Sequence, residues 1–360
     1  MADSRNWATT ARPTASTFKA YALAAGLKDG LSLYSTFRGN SFTVPGEPIV
    51  RNEYNQFYGN AVTLLKATTD SINTAFVDMI LTMNDGKNKV LKIAKAAGDP
   101  ETTGWDAAPR NIPIGTPEVS PLNQASAYGS FANNGVHVDQ HVVKEVRNAK
   151  GEVVYRANPG ETRVVSADIA ADVTYALSSV VENGTGRSVQ TLNRPVAGKT
   201  GTNGVTVKNK DIVNSSWFVG YTKQISTAVM FVAGNAGTSS LDVYRRPGDS
   251  TFFGGTYPAQ TWVSYMEQAT KGQAYKTFDQ PANVNRDTAP RQSLPSQTYQ
   301  PSSSAQPSRT PSNAPSSSAS QPSNHPSGSA TTKPSASSKP SSSASKRGAG
   351  PGGPSARGGG

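Results

Sequence analysis

Cysteine is absent from the 360 residues, which excludes a disulfide framework, a thiol nucleophile and any thiolate metal site. Histidine is nearly absent as well. His325 lies in a polar tail and His137 and His141 fall in one predicted strand, so no histidine is placed for a Ser-His-Asp triad. With Asp139 the two strand histidines share a face whose spacing just suits a metal, but which reads as an exposed polar strand face. No apolar run approaches the roughly eighteen residues of a membrane span, and the opening "MADSRNWATTARP" has no hydrophobic signal core.

Acidic charge is also scarce. Lys and Arg number 35 against 24 Asp and Glu, a net charge of +11. Most of the excess belongs to one end: from Gln280 onward eight Lys and Arg face a single Asp287, which leaves about +4 on the rest. That mild excess, with no basic stripe interleaved with aromatics, argues against nucleic acid as a partner of residues 1–279.

The same end lacks core-forming residues. From "PSSSAQPSRTPSNAPSSSASQPSNHPSG" to the C-terminus the chain is mostly Pro, Ser, Ala and Gly, which cannot bury enough apolar surface to offset its ordering entropy. Residues 280–360 are therefore expected to be a disordered tail and 1–279 a folded domain. The basic tail could still touch an anionic polymer or surface.

The rest of the chain patterns clearly. "STFKAYALAAGL" has apolar residues at helical spacing, with Ser16 in its first turn and Gly26 as the first breaker. "YGNAVTLLKATTDSINTAFVDMILTM" reads as two helices, one ending near Thr68 and one starting in "SINTAFVDMI". "PLNQASAYGSFANNG" is a helix closed by Gly135, and "VHVDQHVVKEVRNAKGEVVYR" is an alternating hairpin turned at Lys150–Gly151. "SADIAADVTYALSSVVENGTG" is an amphipathic helix with a glycine stop, and "RPVAGKTGT", "SSWFVGYTK" and "ISTAVMFVAGN" are three consecutive antiparallel strands. The helix "TYPAQTWVSYMEQATKG" comes next, so the fold class is α+β, an antiparallel sheet flanked by helices.

Three short motifs carry chemistry. Ser16 and Lys19 lie at i and i+3 on one helix face, where an amine depressed by burial can take the hydroxyl proton of a nucleophile. The helix N-terminus beside them offers N–H groups and a dipole for an oxyanion. The pair reads equally as a capping serine and a solvated lysine, and Ser343 with Lys346 repeats the pattern in the tail. In "DSINT", Ser71 and Asn73 point one way when Ile72 turns aside, which suits a proton relay and a contact to a substrate amide. In "VAGKTGTN", Lys199, Thr200, Gly201 and Thr202 suit a substrate laid along a strand, with a lysine for field, hydroxyls for a carboxylate and a glycine for close approach. The aromatic pair Trp217-Phe218 reads as core.

The order S-x-x-K, S-x-N, K-T-G, together with "NIPIGTPEVSPLNQASAYGSFANNGV", "VENGTGRSV" and "SSWFVGYT", resembles the transpeptidase domain of class A penicillin-binding proteins from about Trp7 to about Gly272. The Ser/Pro-rich tail makes it similar to the actinobacterial type. The resemblance implies a penicillin-binding/serine β-lactamase-like fold and peptide cross-linking through a serine acyl-enzyme, without cofactor or metal. It implies Ser16 as nucleophile, Lys19 as its base, Ser71 as proton shuttle and Lys199 as the electrostatic support of Ser71. It also implies Asn73 on the donor amide and Thr200 to Thr202 on the terminal carboxylate, with the Ser16 and Thr202 N–H groups as oxyanion hole. The implied partners are peptidoglycan stem peptides and β-lactam antibiotics, and, for the tail, wall polymer or division proteins. Family members carry a membrane anchor, a glycosyltransferase domain and opening sheet strands before the S-x-x-K serine. Only fifteen residues precede Ser16, so the resemblance implies an N-terminally truncated domain from the cell envelope. An impaired binding module or a D,D-carboxypeptidase are the accompanying alternatives.

Overall fold

The computed structural model describes residues 5–207, 210–249 and 251–288. The chain divides into a compact unit, residues 1–297, which contains all of these, and a second unit, residues 298–360, which lies outside them.

The chain enters through a two-residue strand β1 (Arg12–Pro13), a 3-10 turn (Ala15–Phe18) and helix α1 (Lys19–Lys28). Nine of the ten α1 residues are buried. A helix of Ala, Leu and Tyr with no polar face has to sit in the middle of a core. It runs through Gly26, the expected breaker, because the missing side chain admits Met79: a Cβ there would lie 3.0 Å from its Sδ.

Short strands β2 (Thr36–Phe37) and β3 (Val62–Thr63) pair antiparallel, and α2 (Leu64–Thr69) and α3 (Asn73–Thr82) come after them. Thr63 caps α2 by accepting the Lys66 N–H at 3.2 Å. Helix α4 (Gly86–Ala96) packs on α1. Strand β4 (Glu118–Val119) pairs with β1, and α5 (Pro121–Ala132) starts where Ser120 accepts the Asn123 N–H and proline takes the first helical position.

The expected single hairpin resolves into two nested ribbons. β5 (Val136–Val138) pairs with β8 (Glu161–Arg163), and inside them β6 (Glu145–Arg147) pairs with β7 (Val153–Arg156) across a turn in which Gly151 has φ 84°. His137 is not on an exposed face: it is buried, its ring against Gly98. Helix α6 (Ala167–Asn183), capped by Ser166, leads to the three-stranded antiparallel sheet β9 (Ala197–Val207), β10 (Lys210–Tyr221) and β11 (Ser226–Val232), in the order β11-β10-β9. Helix α7 (Tyr257–Ala269) closes the fold.

The period-two alternation of β10 sends Trp217 and Phe218 to opposite faces. Trp217 joins the main core with Phe18, Tyr21, Phe76 and Tyr128, while Phe218 joins Trp262 and Met266 of α7. The sheet is thus covered on both sides, and the pair is core as expected.

Packed chain also runs past the expected boundary at 279. The backbone N–H groups of Asn283 and Val284 donate to the Asp172 carboxylate at 2.8 and 2.7 Å, and the Asn285 amide donates to the carbonyls of Leu27 and Leu31. The rest of the expected tail, from residue 289, lies outside the described residues. Among the described residues no helix is long and apolar enough to cross a membrane.

Candidate active site

Ser16 does not cap a helix. It sits in the 3-10 turn before α1, and its hydroxyl is hydrogen-bonded to the Lys19 Nζ at 3.0 Å. The turn is fastened from several sides. The Ala15 N–H donates to the Gly115 carbonyl at 3.0 Å, and the Tyr128 hydroxyl donates to the Thr17 carbonyl at 2.6 Å. The Trp217 indole and the Ser215 hydroxyl both donate to the Pro13 carbonyl, at 2.9 and 3.1 Å. Two glycines permit this closeness: a Cβ on Gly115 would lie 1.8 Å from the Ala15 carbonyl oxygen, and one on Gly201 would lie 2.7 Å from that of Thr14.

Lys19 is fully buried. Its Nζ also lies 2.7 Å from the Ser71 carbonyl oxygen, 3.1 Å from the Ser71 Oγ and 2.6 Å from the Asn73 Oδ1, so with Ser16 four oxygens share its N–H groups. Ser71 and Asn73 therefore do point one way, with Ile72 turned into the core at 1% exposure. Ser71 reaches this position in the left-handed region, φ 60°, and Ala15 on the other side of the lysine has φ 50°. Two non-glycine residues in that region flanking one cleft mark a site where geometry is held at the expense of local strain.

β9 supplies the third motif. The Lys199 Nζ, also fully buried, donates to the Ser71 Oγ at 2.8 Å and to the Thr200 carbonyl at 3.1 Å. Alternation places Lys199 and Gly201 on the face toward the Ser16 turn and Thr200 and Thr202 on the other. The Thr200 hydroxyl pairs with that of Thr185 at 2.7 Å, and the Thr202 hydroxyl accepts the Gly254 N–H at 3.1 Å. In each case one hydroxyl proton is left to donate outward, so the wall offers two donors to an anion.

Burial and neighbouring charge set the protonation. Burial pushes the Lys19 ammonium well below its ordinary range, and the Lys199 charge lowers it further. Burial brings Lys199 down to about 7, with Glu53 opposing. Lys199 thus carries the charge that helps to strip Lys19 of its proton, and two amines bridged by one hydroxyl titrate as a pair.

The constellation opens into a cleft of about 620 Å³ lined by Ser16, Ser71, Asn73, Thr200 and Thr202, among others. All eight residues named from sequence meet at this place: five line the cleft, Lys19 and Lys199 lie buried against Ser71, and Gly201 backs the Ser16 turn. Sequence reasoning missed Asn52, which fastens the loop between β2 and β3 to the start of α3: its amide donates to the Gly39 and Gln56 carbonyls, and its Oδ1 accepts from the Thr74 N–H and hydroxyl. It also missed Glu53 and Thr185, and the Tyr54 and Phe253 rings, which line the cleft and meet edge to face at 6.3 Å. Only Thr185 left a trace, inside "VENGTG".

Comparison with known proteins identifies the family. Penicillin-binding protein 1A of Mycobacterium tuberculosis is 31% identical over 288 residues, 75% of this chain and 34% of the relative. Penicillin-binding protein 1A of Neisseria gonorrhoeae is 29% identical over 285 residues, 76% of this chain and 33% of the relative. The chain spans about a third of the length of these curated relatives. Among solved structures, that of the PonA1 protein from Mycobacterium tuberculosis in complex with penicillin V superposes with a TM-score of 0.68 at 25% identity, covering 79% of this chain and 76% of that one. Residues 2–244 match the penicillin binding protein transpeptidase domain, and the chain belongs to that family.

Proposed function

We propose that this chain is a serine D,D-transpeptidase module that cross-links peptidoglycan stem peptides in the cell envelope and is acylated by β-lactams. The observation that carries the reading is the buried Lys19 amine, 3.0 Å from the Ser16 hydroxyl and held below its ordinary range. A free amine beside a serine at the mouth of a cleft is a nucleophile with its base.

In the first step the Ser16 Oγ attacks the penultimate D-alanine carbonyl of a donor stem and Lys19 takes its proton. The Ser16 and Thr202 N–H groups hold the oxyanion. The proton passes through Ser71, steadied by Lys199, to the departing D-alanine nitrogen, and the C–N bond breaks to leave a Ser16 ester. Asn73, whose Oδ1 is taken by Lys19 and whose Nδ2 has no partner among the described residues, donates that amide N–H to the carbonyl oxygen of the donor amide. The Thr200/Thr185 and Thr202 hydroxyls receive the terminal carboxylate. In the second step an amine from a neighbouring stem attacks the ester, the amide forms and Ser16 regains its proton. A β-lactam stops at the ester.

A binding module with a misplaced Lys199 would have that lysine out of reach of the relay; instead its 2.8 Å contact to Ser71 supports turnover. Intact-mass spectrometry of the chain after benzylpenicillin tests the reading, with Ser16→Ala as control. One drug mass on the native chain and none on the control is the expected result. A folded chain that takes up no drug would overturn it. Incubation with a stem-peptide donor and an amine acceptor then separates cross-linking from D-alanine release alone.

A further inference from the structure

Glu53 has no part in the steps above, yet it lines the cleft. The residue before it, Asn52, is anchored through its side chain to Gly39 and Thr74, and Tyr54 and Asn55 after it take left-handed backbone, φ 52° and 54°. The charged residues lining the cleft are Arg51, Glu53 and Asp70. Asp70 is engaged, its carboxylate 2.6 Å from the Lys66 ammonium. The Glu53 carboxylate makes no ion pair or side-chain hydrogen bond among the described residues, although it lies within electrostatic range of both Lys19 and Lys199. A carboxylate left unpaired at the edge of a reacting centre is a receptor for a cation that arrives from outside.

Acyl transfer to an amine needs such a receptor. Near neutral pH an aliphatic amine is an ammonium, which has no lone pair with which to attack. The Lys199 charge repels it near the place where it must react. Resting on the acyl-transfer reading above, we infer that Glu53 binds the acceptor ammonium and removes its proton. The atoms balance: R–NH3⁺ and the Glu53 carboxylate give R–NH2 and the carboxylic acid. The free amine attacks the Ser16 ester, the C–Oγ bond breaks, the second nitrogen proton returns through Ser71 and Lys19 to Ser16, and Glu53 releases its proton to solvent. The Glu53 side chain is open to solvent at the cleft, so an arriving ammonium reaches it without entering the core; what desolvation it has raises its carboxyl, with Lys19 and Lys199 opposing.

The test reads the second step on acyl-enzyme already formed, from a thioester donor on the full chain. Two nucleophiles compete with water: a peptide amine that is an ammonium at the assay pH, and hydroxylamine, which is mostly uncharged there. Glu53→Gln is expected to lower the aminolysis-to-hydrolysis ratio on the order of tenfold for the ammonium, the loss of one charge-assisted contact. Hydroxylamine transfer should hold, and Glu53→Asp should recover part of the loss. An unchanged ratio for the ammonium, or an equal fall for both nucleophiles, overturns the inference. No acyl-enzyme on the native chain overturns the acyl-transfer reading itself, and this inference with it.

Discussion

Lys19 and Lys199 meet on a single oxygen: their Nζ atoms lie 3.1 and 2.8 Å from the Ser71 Oγ. Two buried amines so close cannot both hold a full charge, and the one on β9 keeps it. The charge on Lys199 lowers Lys19, so Lys199→Met should let the Lys19 pKa rise. On the proposed mechanism Lys19 acts only when free of its proton, so the acid limb of the acylation rate should move to higher pH, with a lower plateau. Stopped-flow acylation by a chromogenic β-lactam against pH reads this, and a limb that stays in place or moves down refutes the assignment. Lys19→Ala should cost about 10²–10⁴-fold in the same rate, the usual span for a general base.

Ser71 occupies left-handed backbone at φ 60°, where a side chain costs about 1 kcal/mol or more and glycine costs little. Ser71→Gly and Ser71→Ala both remove the relay and should both lose acylation. The glycine variant should be the more stable by about 1 kcal/mol, measured by urea unfolding. Equal stabilities would mean that the conformation is not strained.

Gly201 lies against the Ser16 turn, where a Cβ would stand 2.7 Å from the Thr14 carbonyl oxygen and 3.0 Å from the Thr17 Cγ2. Backbone must move to admit it. Gly201→Ala should cost about 1–3 kcal/mol of stability by overpacking and slow acylation, because the Ser16 hydroxyl moves away from Lys19. A variant that acylates at the native rate would show that the turn has slack.

Asp99 is 1% exposed, and neither of its oxygens finds a hydrogen-bond partner among the described residues. Burial raises its carboxyl to about 7, opposed by the neighbouring Tyr21 hydroxyl. The folded state holds this proton more tightly than the unfolded chain, so stability is full below the unfolded value near 4 and falls as pH climbs to about 7, then levels. The loss amounts to about 4 kcal/mol at most. Asp99→Asn should flatten that segment of the stability profile; a decline that persists in the variant would place its origin elsewhere.

Much of the fold is legible in the chain itself. The buried helix, the helix pair around "TTDSIN", the capped α6 and the three-stranded sheet each arise from a run whose period is unambiguous, and the three motifs converge where those elements meet. Helix α4 has an apolar stripe through Val90, Ile93 and Ala94 but no start signal, since "GKNKVLKIAKA" begins at glycine after a left-handed Asp85 without a capping bond. The nested ribbons read as one hairpin because alternation gives the face of a strand and says nothing of its partner. Asn52 and Glu53 lie in a loop with no period at all. Their placement comes from hydrogen bonds to Gly39 and Thr74, which are far from them in the chain, and no local pattern encodes such bonds.

Helix α1 has almost no solvent face, and the Ser16 turn is its beginning. A turn tied to α5 through Tyr128, to the sheet through Trp217 and to the Gly115 loop cannot take its shape until those pieces have docked. Covalent capture of a β-lactam would then act as a folding assay: the fraction of molecules that carry the drug would count the fraction whose whole core has assembled, in a crude extract as well as in a pure sample.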